Sequence, residues 1–371
     1  MHLALYAPSL GYYSAGSQKF GDMQKGGGDF VTAPQISPLF AQTLALQIAQ
    51  VLRDLNLKNL QGNILELGAG TGKLACDVLL SLAHLQQLPA QYFILEVSDH
   101  LRQVQFEHLQ KNLPSDLFHR VVWLKNLPEN FNGIVIANEV LDALPVHIVH
   151  NTPDGLCERG IALNNDITEA DGGILNTFLQ TDILIPSQKT ANQQYLVDAA
   201  TENNLPVHYI TEFCPAAKGL VTSLSQTLQH GAMILIDYGF SAREYYHPQR
   251  NQGTLMCHYQ QLAHVDPLTH IGLQDITAHV DFTSIAYAGV NSGLTLNGFC
   301  SQAQFLMNCG ILDVMAEVSP NDVARYAPMA ASAQKLLSPA EMGDLFKVIG
   351  FTKGLETELI GFRQGDKTHT L

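Results

Sequence analysis

The chain is short of positive charge. Twenty Lys and Arg stand against 34 Asp and Glu, for a formal net charge of −14 over 371 residues. That excludes nucleic acid as the main partner, because neutralising phosphates takes a basic surface. Charge of either sign is sparse, at 15% of residues against 46% apolar, so a substantial core is expected in one large domain or two modest ones. Paired cysteines are missing too. Cys76, Cys157, Cys214, Cys257, Cys300 and Cys309 include no C-x-x-C, which removes a zinc ribbon or a dithiol redox pair and fits a reducing compartment. No H-E-x-x-H occurs; His147 and His150 flank an expected strand without partner ligands, so no metal is assigned. No apolar run reaches the roughly 18 residues of a membrane span, so no membrane insertion is expected. The first 18 residues hold no Lys or Arg, so the basic region of a leader is absent and a cytoplasmic protein is expected.

What stands out is the run Ile64-Leu65-Glu66-Leu67-Gly68-Ala69-Gly70-Thr71-Gly72. It reads as a short strand, a glycine turn, and a helix that starts near Lys73. Glycines at alternate positions let a ligand lie against bare backbone, and the helix start aims free N–H groups at the same place. The run is no P-loop: Leu67 stands where that motif needs Gly, and Leu74 where it needs Ser or Thr. Nor is it the dinucleotide fingerprint, because the third glycine comes one residue early. A strand, an acid and G-x-G-x-G are the usual nucleotide-edge loop of S-adenosylmethionine (SAM) methyltransferases. SAM carries a sulfonium and an amino group, which suit Glu66. The next expected strand, 91–96, ends on Glu96, twenty-four positions after Gly72 and near the ~20 expected of a ribose-binding acid.

The rest of the pattern alternates. Ser37-Pro38 opens a helix as N-cap and first position, with Leu44, Ile48, Val51, Leu52 and Leu55 on its apolar face. Strands are expected at 63–67, 91–96, 120–124 and 133–138, with helices at 73–84 and 99–111 between them. This is the sign of a doubly wound α/β sheet that binds ligands at the carboxyl ends of its strands. A fifth strand is expected at 231–236. The divisions are a cap loop and helix (1–60), the first half of a SAM-binding core (61–145), an insertion (146–214), the second half (215–260), a mostly helical substrate-side region (261–340) and closing core strands (341–371). The insertion carries hairpin patterns near 146–163 and 173–185 and a helix near 189–203, and is too long for an ordinary connection.

A second constellation, Asn138-Glu139-Val140-Leu141-Asp142-Ala143-Leu144-Pro145, follows the fourth strand. Glu139 and Asp142 are three apart at the expected start of a short helix and would face the same way. They can grip a guanidinium through charge-assisted hydrogen bonds and favour loss of its proton; acids at that position also serve simply as helix caps. Asn138 is placed beside the cofactor. A third cluster spans Asp275-Ile276-Thr277-Ala278-His279-Val280-Asp281-Phe282. Asp275 and His279 would share a helical face, or His279 and Asp281 a strand face; a base pair and a structural turn both remain open. Asp237-Tyr238-Gly239 ends the fifth strand.

Taken with Ala4-Leu5-Tyr6, Gly11-Tyr12-Tyr13-Ser14 and Gly28-Asp29-Phe30-Val31-Thr32-Ala33-Pro34, these segments resemble the MidA family of SAM-dependent methyltransferases, in order and over nearly the whole chain. That family includes the mitochondrial complex I assembly-factor arginine methyltransferase. The resemblance implies a Rossmann-like, seven-stranded class I methyltransferase sheet with an inserted α+β substrate-side subdomain. It implies symmetric dimethylation of an arginine on a respiratory complex I subunit, in the mitochondrial matrix for a eukaryotic member. Gly68, Gly70 and Gly72 would line SAM and Glu96 would bind its ribose. Residues 28–37 would close over the site. Asp29, Asp237, His279 and Asp281 are the substrate-side candidates, and a homodimer is the assembly considered. Gln35 stands where the family segment usually has Glu, and the stretch 257–261 is less basic than the family's. Members commonly carry about one further helix before the A-L-Y segment, so residues upstream are expected to add stability. Two other readings stay open: a SAM-binding assembly chaperone with little turnover, and a small-molecule methyltransferase.

Overall fold

A computed structural model describes residues 1–15, 32–164 and 178–371. The first four strands are β1 (Asn63–Leu67), β2 (Tyr92–Leu95), β3 (Val121–Leu124) and β4 (Phe131–Asn138). An inserted block follows with β5 (His147–Thr152), β6 (Gly155–Leu163), β7 (Phe178–Leu184) and β8 (Tyr209–Phe213). Then come the long β9 (Leu228–Phe240) and the short β10 (Met256–Tyr259), β11 (Leu262–His264), β12 (Asp275–Thr277) and β13 (Val280–Asp281). The last two are β14 (Thr295–Ser301) and β15 (Phe346–Lys353).

The central sheet runs β14-β15-β9-β4-β1-β2-β3, with the two-residue β13 paired beside β9. From β3 to β9 every pairing is parallel; β15 runs antiparallel to both β9 and β14. The seven-stranded sheet is therefore present along the main path. Parallel strands are covered on both faces and so read as continuous apolar runs, as Ile134-Val135-Ile136-Ala137 does, all buried. One face packs on the helices Pro38–Leu57 and Lys73–His84, the other on Pro215–Thr227 and Phe282–Asn291. Ser37 Oγ accepts the N–H of Leu39 at 3.1 Å and Pro38 occupies the first helical position. The chain leaves β1 for β2 and β3 on one side and returns to β4 on the other. That reversal opens a crevice beyond the carboxyl ends of β1 and β4.

The insertion forms its own antiparallel sheet, β7-β6-β5-β8, backed by the helix Ala191–Glu202. Part of the second expected hairpin, 173–177, lies outside the described residues. A third small sheet, β11-β10-β12, packs against the N-terminal segment through Leu5, Tyr12, Cys257 and Ile276. Among the described residues, no helix is long and apolar enough to cross a membrane.

Two local expectations are corrected. No helix begins at Glu139: residues 139–144 form a turn, because Pro145 follows and the backbone N–H groups of the turn are spent on Asp237 instead. The 275–282 segment is neither a helix nor one strand, but two short strands on different partners, β12 on β10 and β13 on β9. The stretch 261–340, expected mostly helical, carries four helices and, beside them, four strands. Among them β14 completes the sheet edge, with Gly298 lying against the ring of Phe362.

Candidate active site

The glycine loop leaves β1 with Gly68, Gly70 and Gly72 at φ of 59°, 54° and 81°, a region that L side chains avoid. Gly72 then caps the helix Lys73–His84. One buried glutamine ties this loop to the acid of β2. Gln105 donates through Nε2 to the carbonyl of Gly70 at 3.1 Å and to Glu96 Oε2 at 2.9 Å, and accepts from Trp123 Nε1 at 3.0 Å. Glu96 Oε1 accepts the N–H of Ser98 at 3.0 Å. Burial pushes the Glu96 carboxyl up, while Ser98 and Gln105 pull it back. Beside it, Glu66 is buried and accepts the Tyr92 hydroxyl at 2.8 Å. Burial outweighs that bond and lifts Glu66 to about 7.

The turn after β4 holds the second pair of acids. Glu139 adopts φ 54°, strained for a residue with a side chain. Burial and then Asp142 push its carboxyl up to about 8, against bonds from Asn138 Nδ2 at 3.0 Å and from the Ala33 N–H. Asp237, fully buried at the end of β9, holds this turn from beneath. Its Oδ2 accepts the N–H groups of Val140, Leu141 and Asp142 at 3.2, 2.9 and 3.2 Å, and its Oδ1 that of Tyr238 at 2.9 Å. Burial and the charges of Asp142 and Glu139 raise its pKa, and the four N–H donors act in the opposite sense. Asp142 is buried as well, raised by desolvation, with Oδ2 accepting the Tyr238 hydroxyl.

These groups meet in one cavity of about 790 Å³, within the range of small-molecule sites. Of the residues singled out by sequence, Glu66, Gly68, Gly70, Glu96, Asn138, Glu139, Asp142 and His279 line it. Gly72, Asp237 and Asp281 do not. Asp237 is the clamp just described. Asp281 caps the helix Phe282–Asn291, accepting the N–H groups of Thr283 and Ser284 at 3.1 and 3.2 Å and the Tyr246 hydroxyl at 3.0 Å. Asp29 lies outside the described residues. The His279 ring stacks on Phe240 at 5.2 Å and meets Tyr238 edge-on at 5.1 Å. Burial, with Arg250 and Lys347 nearby, lowers it to about 4, so it is neutral at pH 7.

Sequence reasoning missed several wall residues. Tyr6 and Tyr13 line the cavity and stack at 5.6 Å; their hydroxyls donate to the Ala143 carbonyl at 2.9 Å and to Asp275 Oδ1 at 3.0 Å. Gln35, by contrast, belongs to the segment expected to close over the site; it lines the cavity and donates to Thr71 Oγ1 of the glycine loop at 2.6 Å. Nothing local marked Gln105, since a glutamine on a helix is ordinary until its fold neighbours are known.

The lining is acidic: Glu66, Glu96, Glu139, Asp142 and Asp275 all face one space, and the lysine there, Lys73, pairs with Asp77. Asn138 Oδ1 and Asp142 Oδ1 are buried acceptors without a partner among the described residues. Acceptors left in this way suit a ligand that brings N–H donors. A sulfonium with an amino group beside it fits that set. Among the described residues, no group of His, Cys, Asp or Glu is arranged to hold a metal ion.

A family model described as "Putative S-adenosyl-L-methionine-dependent methyltransferase" matches residues 43–300. The chain belongs to this family. Protein arginine methyltransferase NDUFAF7, mitochondrial, of Danio rerio is 29% identical over 372 residues, covering 94% of this chain and 81% of that protein. The Homo sapiens protein of the same name is 26% identical over 372 residues, covering 93% and 77%. A Burkholderia thailandensis protein crystallised with S-adenosyl-homocysteine matches with TM-score 0.90 and 46% identity, over 100% of this chain and 90% of that one. This methyltransferase therefore takes SAM as its cofactor and carries the Rossmann-like class I sheet expected from the sequence.

Proposed function

We propose that this methyltransferase modifies an arginine side chain of a protein. One observation carries the reading. Glu139 and Asp142 both line the glycine-loop crevice from the turn after β4, and Asp142 Oδ1 has no partner among the described residues. A guanidinium offers five N–H donors in one plane and is the side chain whose geometry a carboxylate pair satisfies. The relatives named protein arginine methyltransferase favour the same substrate. The resemblance points further, to a respiratory complex I subunit.

On this reading Gly68 and Gly70 leave room for the cofactor along the loop, and Gly72 serves as the helix cap behind it. Glu66 and Asn138 accept from its amino-acid end, and Glu96 from its ribose hydroxyls. When bound, SAM supplies an electrophilic methyl on a sulfonium. The protein's own work is then to hold the nucleophile and take away a proton. Asp142 Oδ1 and the Glu139 carboxylate accept guanidinium N–H groups and fix one nitrogen. Glu139, whose carboxyl exchanges its proton near neutrality, receives the proton that this nitrogen releases when it gains the methyl carbon. Tyr6 and Tyr13 form an aromatic wall that excludes water beside these acids.

The test uses the purified protein, methyl-labelled SAM and a lysate of a strain lacking the gene, with hydrolysis and amino-acid analysis. Methylarginine is the expected product. The Glu139→Gln variant is expected to bind S-adenosylhomocysteine within about twofold of wild type and to lose transfer by about a hundredfold or more. Label in another residue or in a small molecule overturns the proposal.

A further inference from the structure

Asp142 is held at two points by two consecutive residues of β9. Its backbone N–H donates to Asp237 Oδ2 at 3.2 Å, and its side-chain Oδ2 accepts the Tyr238 hydroxyl. Tyr238 is itself locked. Its backbone N–H is bound to Asp237 Oδ1 at 2.9 Å. Its ring is met edge-on by His279 at 5.1 Å and by Phe346 at 5.5 Å. The hydroxyl therefore has a fixed position and engages one carboxylate oxygen, while Oδ1 of the same carboxylate is buried without a partner among the described residues. A carboxylate free to spin about its terminal bond would present either oxygen; this one cannot without breaking a charge-assisted bond.

We infer that Tyr238 is a positioning residue of the transfer reaction: it occupies Oδ2 of Asp142 so that Oδ1 is left for an N–H of the nucleophile. The role rests on the arginine reading for the identity of that nucleophile, but the geometry asks only for a nitrogen that donates. Asp237 serves the same end through the backbone, fixing the turn whose side chains face the crevice. The hydroxyl also favours the ionised form of Asp142, against the desolvation that raises it. The titratable groups facing Asp142 are Glu139 on its own turn, Asp237 and Tyr238 on β9, Tyr6 and Tyr13 of the N-terminal segment, and Asp275 and the neutral His279 of the segment whose Ala278 N–H donates to the Asp142 carbonyl. None of them is cationic, so the Tyr238 hydroxyl is the side-chain donor that offsets the burial.

The experiment is a carbon-13 NMR titration of the aspartate carboxyls in the full-length protein, with the Asp142 signal assigned by Asp142→Asn. In Tyr238→Phe, which keeps the ring contacts, the Asp142 midpoint is expected to move up by about one pH unit or more. Labelled transfer is expected to slow about ten- to a hundredfold, the span of one hydrogen bond to a charged group. The lower break on the acid limb of its pH profile, below the one set by Glu139, should move up with it, and S-adenosylhomocysteine binding should be unchanged. Difluorotyrosine at position 238 keeps the shape and strengthens the donor, so it should move the midpoint down; it serves also if the Phe variant does not fold. An unmoved midpoint in these proteins overturns the role, as does slowed transfer with an unmoved acid limb. The titration needs no acceptor protein. A shifted midpoint without methylarginine removes the arginine reading and leaves the positioning role standing.

Discussion

Glu139 combines two unfavourable conditions, a left-handed backbone and a carboxyl held among other acids. Strain of this kind costs about 1–3 kcal/mol and persists where the surroundings over-determine it, here the grip of Asp237 on the next three N–H groups. The raised carboxyl has a consequence for stability. Its folded pKa of about 8 lies above the ordinary 4.5, so the folded state binds the proton more tightly than the unfolded one. Stability linked to Glu139 is therefore complete below about pH 4.5 and is lost as pH rises through about 8. Glu139→Gln, a permanent neutral mimic, should match wild type in denaturant midpoint at pH 4.5 and exceed it at pH 9; equal midpoints at both would refute the burial. Gln105 carries a separate prediction. Gln105→Leu removes the donor to Glu96 and Gly70 and strands Trp123 Nε1. S-adenosylhomocysteine affinity should fall about tenfold, read by titration calorimetry, as expected for a broken buried bond of about 1–3 kcal/mol.

The strands meet most closely where β4 and β9 place Gly133 opposite Gly231. Their φ values are 154° and 143°, and a methyl built on Gly231 would lie 1.7 Å from the Gly133 carbonyl oxygen. The register slips just before this point, between Phe131 and Asn132, as is usual where glycines let two backbones approach. Gly231→Ala should cost about 3 kcal/mol or more. A variant whose denaturant midpoint matches wild type would show that the two strands can separate there. Most elements were legible in the sequence because each is written locally. The helices at 73–84 and 99–111 and the strand at 63–67 came out within a residue of their observed bounds. The turn at 139–144 was read as a helix start because acids and a following apolar run look alike in both. The difference is made by Asp237, almost a hundred positions away. The strand β14 escaped for a similar reason: its pairing with β15 decides its conformation, and its own residues state no period.

Across the whole molecule, the acidic balance and the acidic cavity have the same sign, so a cationic ligand is attracted at long range and held at short range. Saturating the site should stabilise the fold. At a hundred times its dissociation constant, S-adenosylhomocysteine adds about 2.7 kcal/mol, a rise of about 3–4 °C in Tm for a chain of this size. NAD at the same concentration should leave Tm unchanged, because its pyrophosphate would enter a ring of carboxylates. A matching rise with NAD would refute the cofactor discrimination drawn from the glycine spacing. By itself the sequence determined the alternation of strands and helices, the loop Gly68–Gly72 with its acids Glu66 and Glu96, and the presence of Glu139 and Asp142 beyond β4. These follow from periodicity and short-range steric rules that act within a few residues. Only the tertiary structure decided that Asp237 is a clamp and Asp281 a helix cap, that Tyr6 and Tyr13 wall the cavity, and that Tyr238 holds Asp142. The cap is made within three positions, but the clamp, the wall and the hold on Asp142 join segments about a hundred to more than two hundred positions apart, and such partners are set by which crossover connection brings which strand end to the crevice.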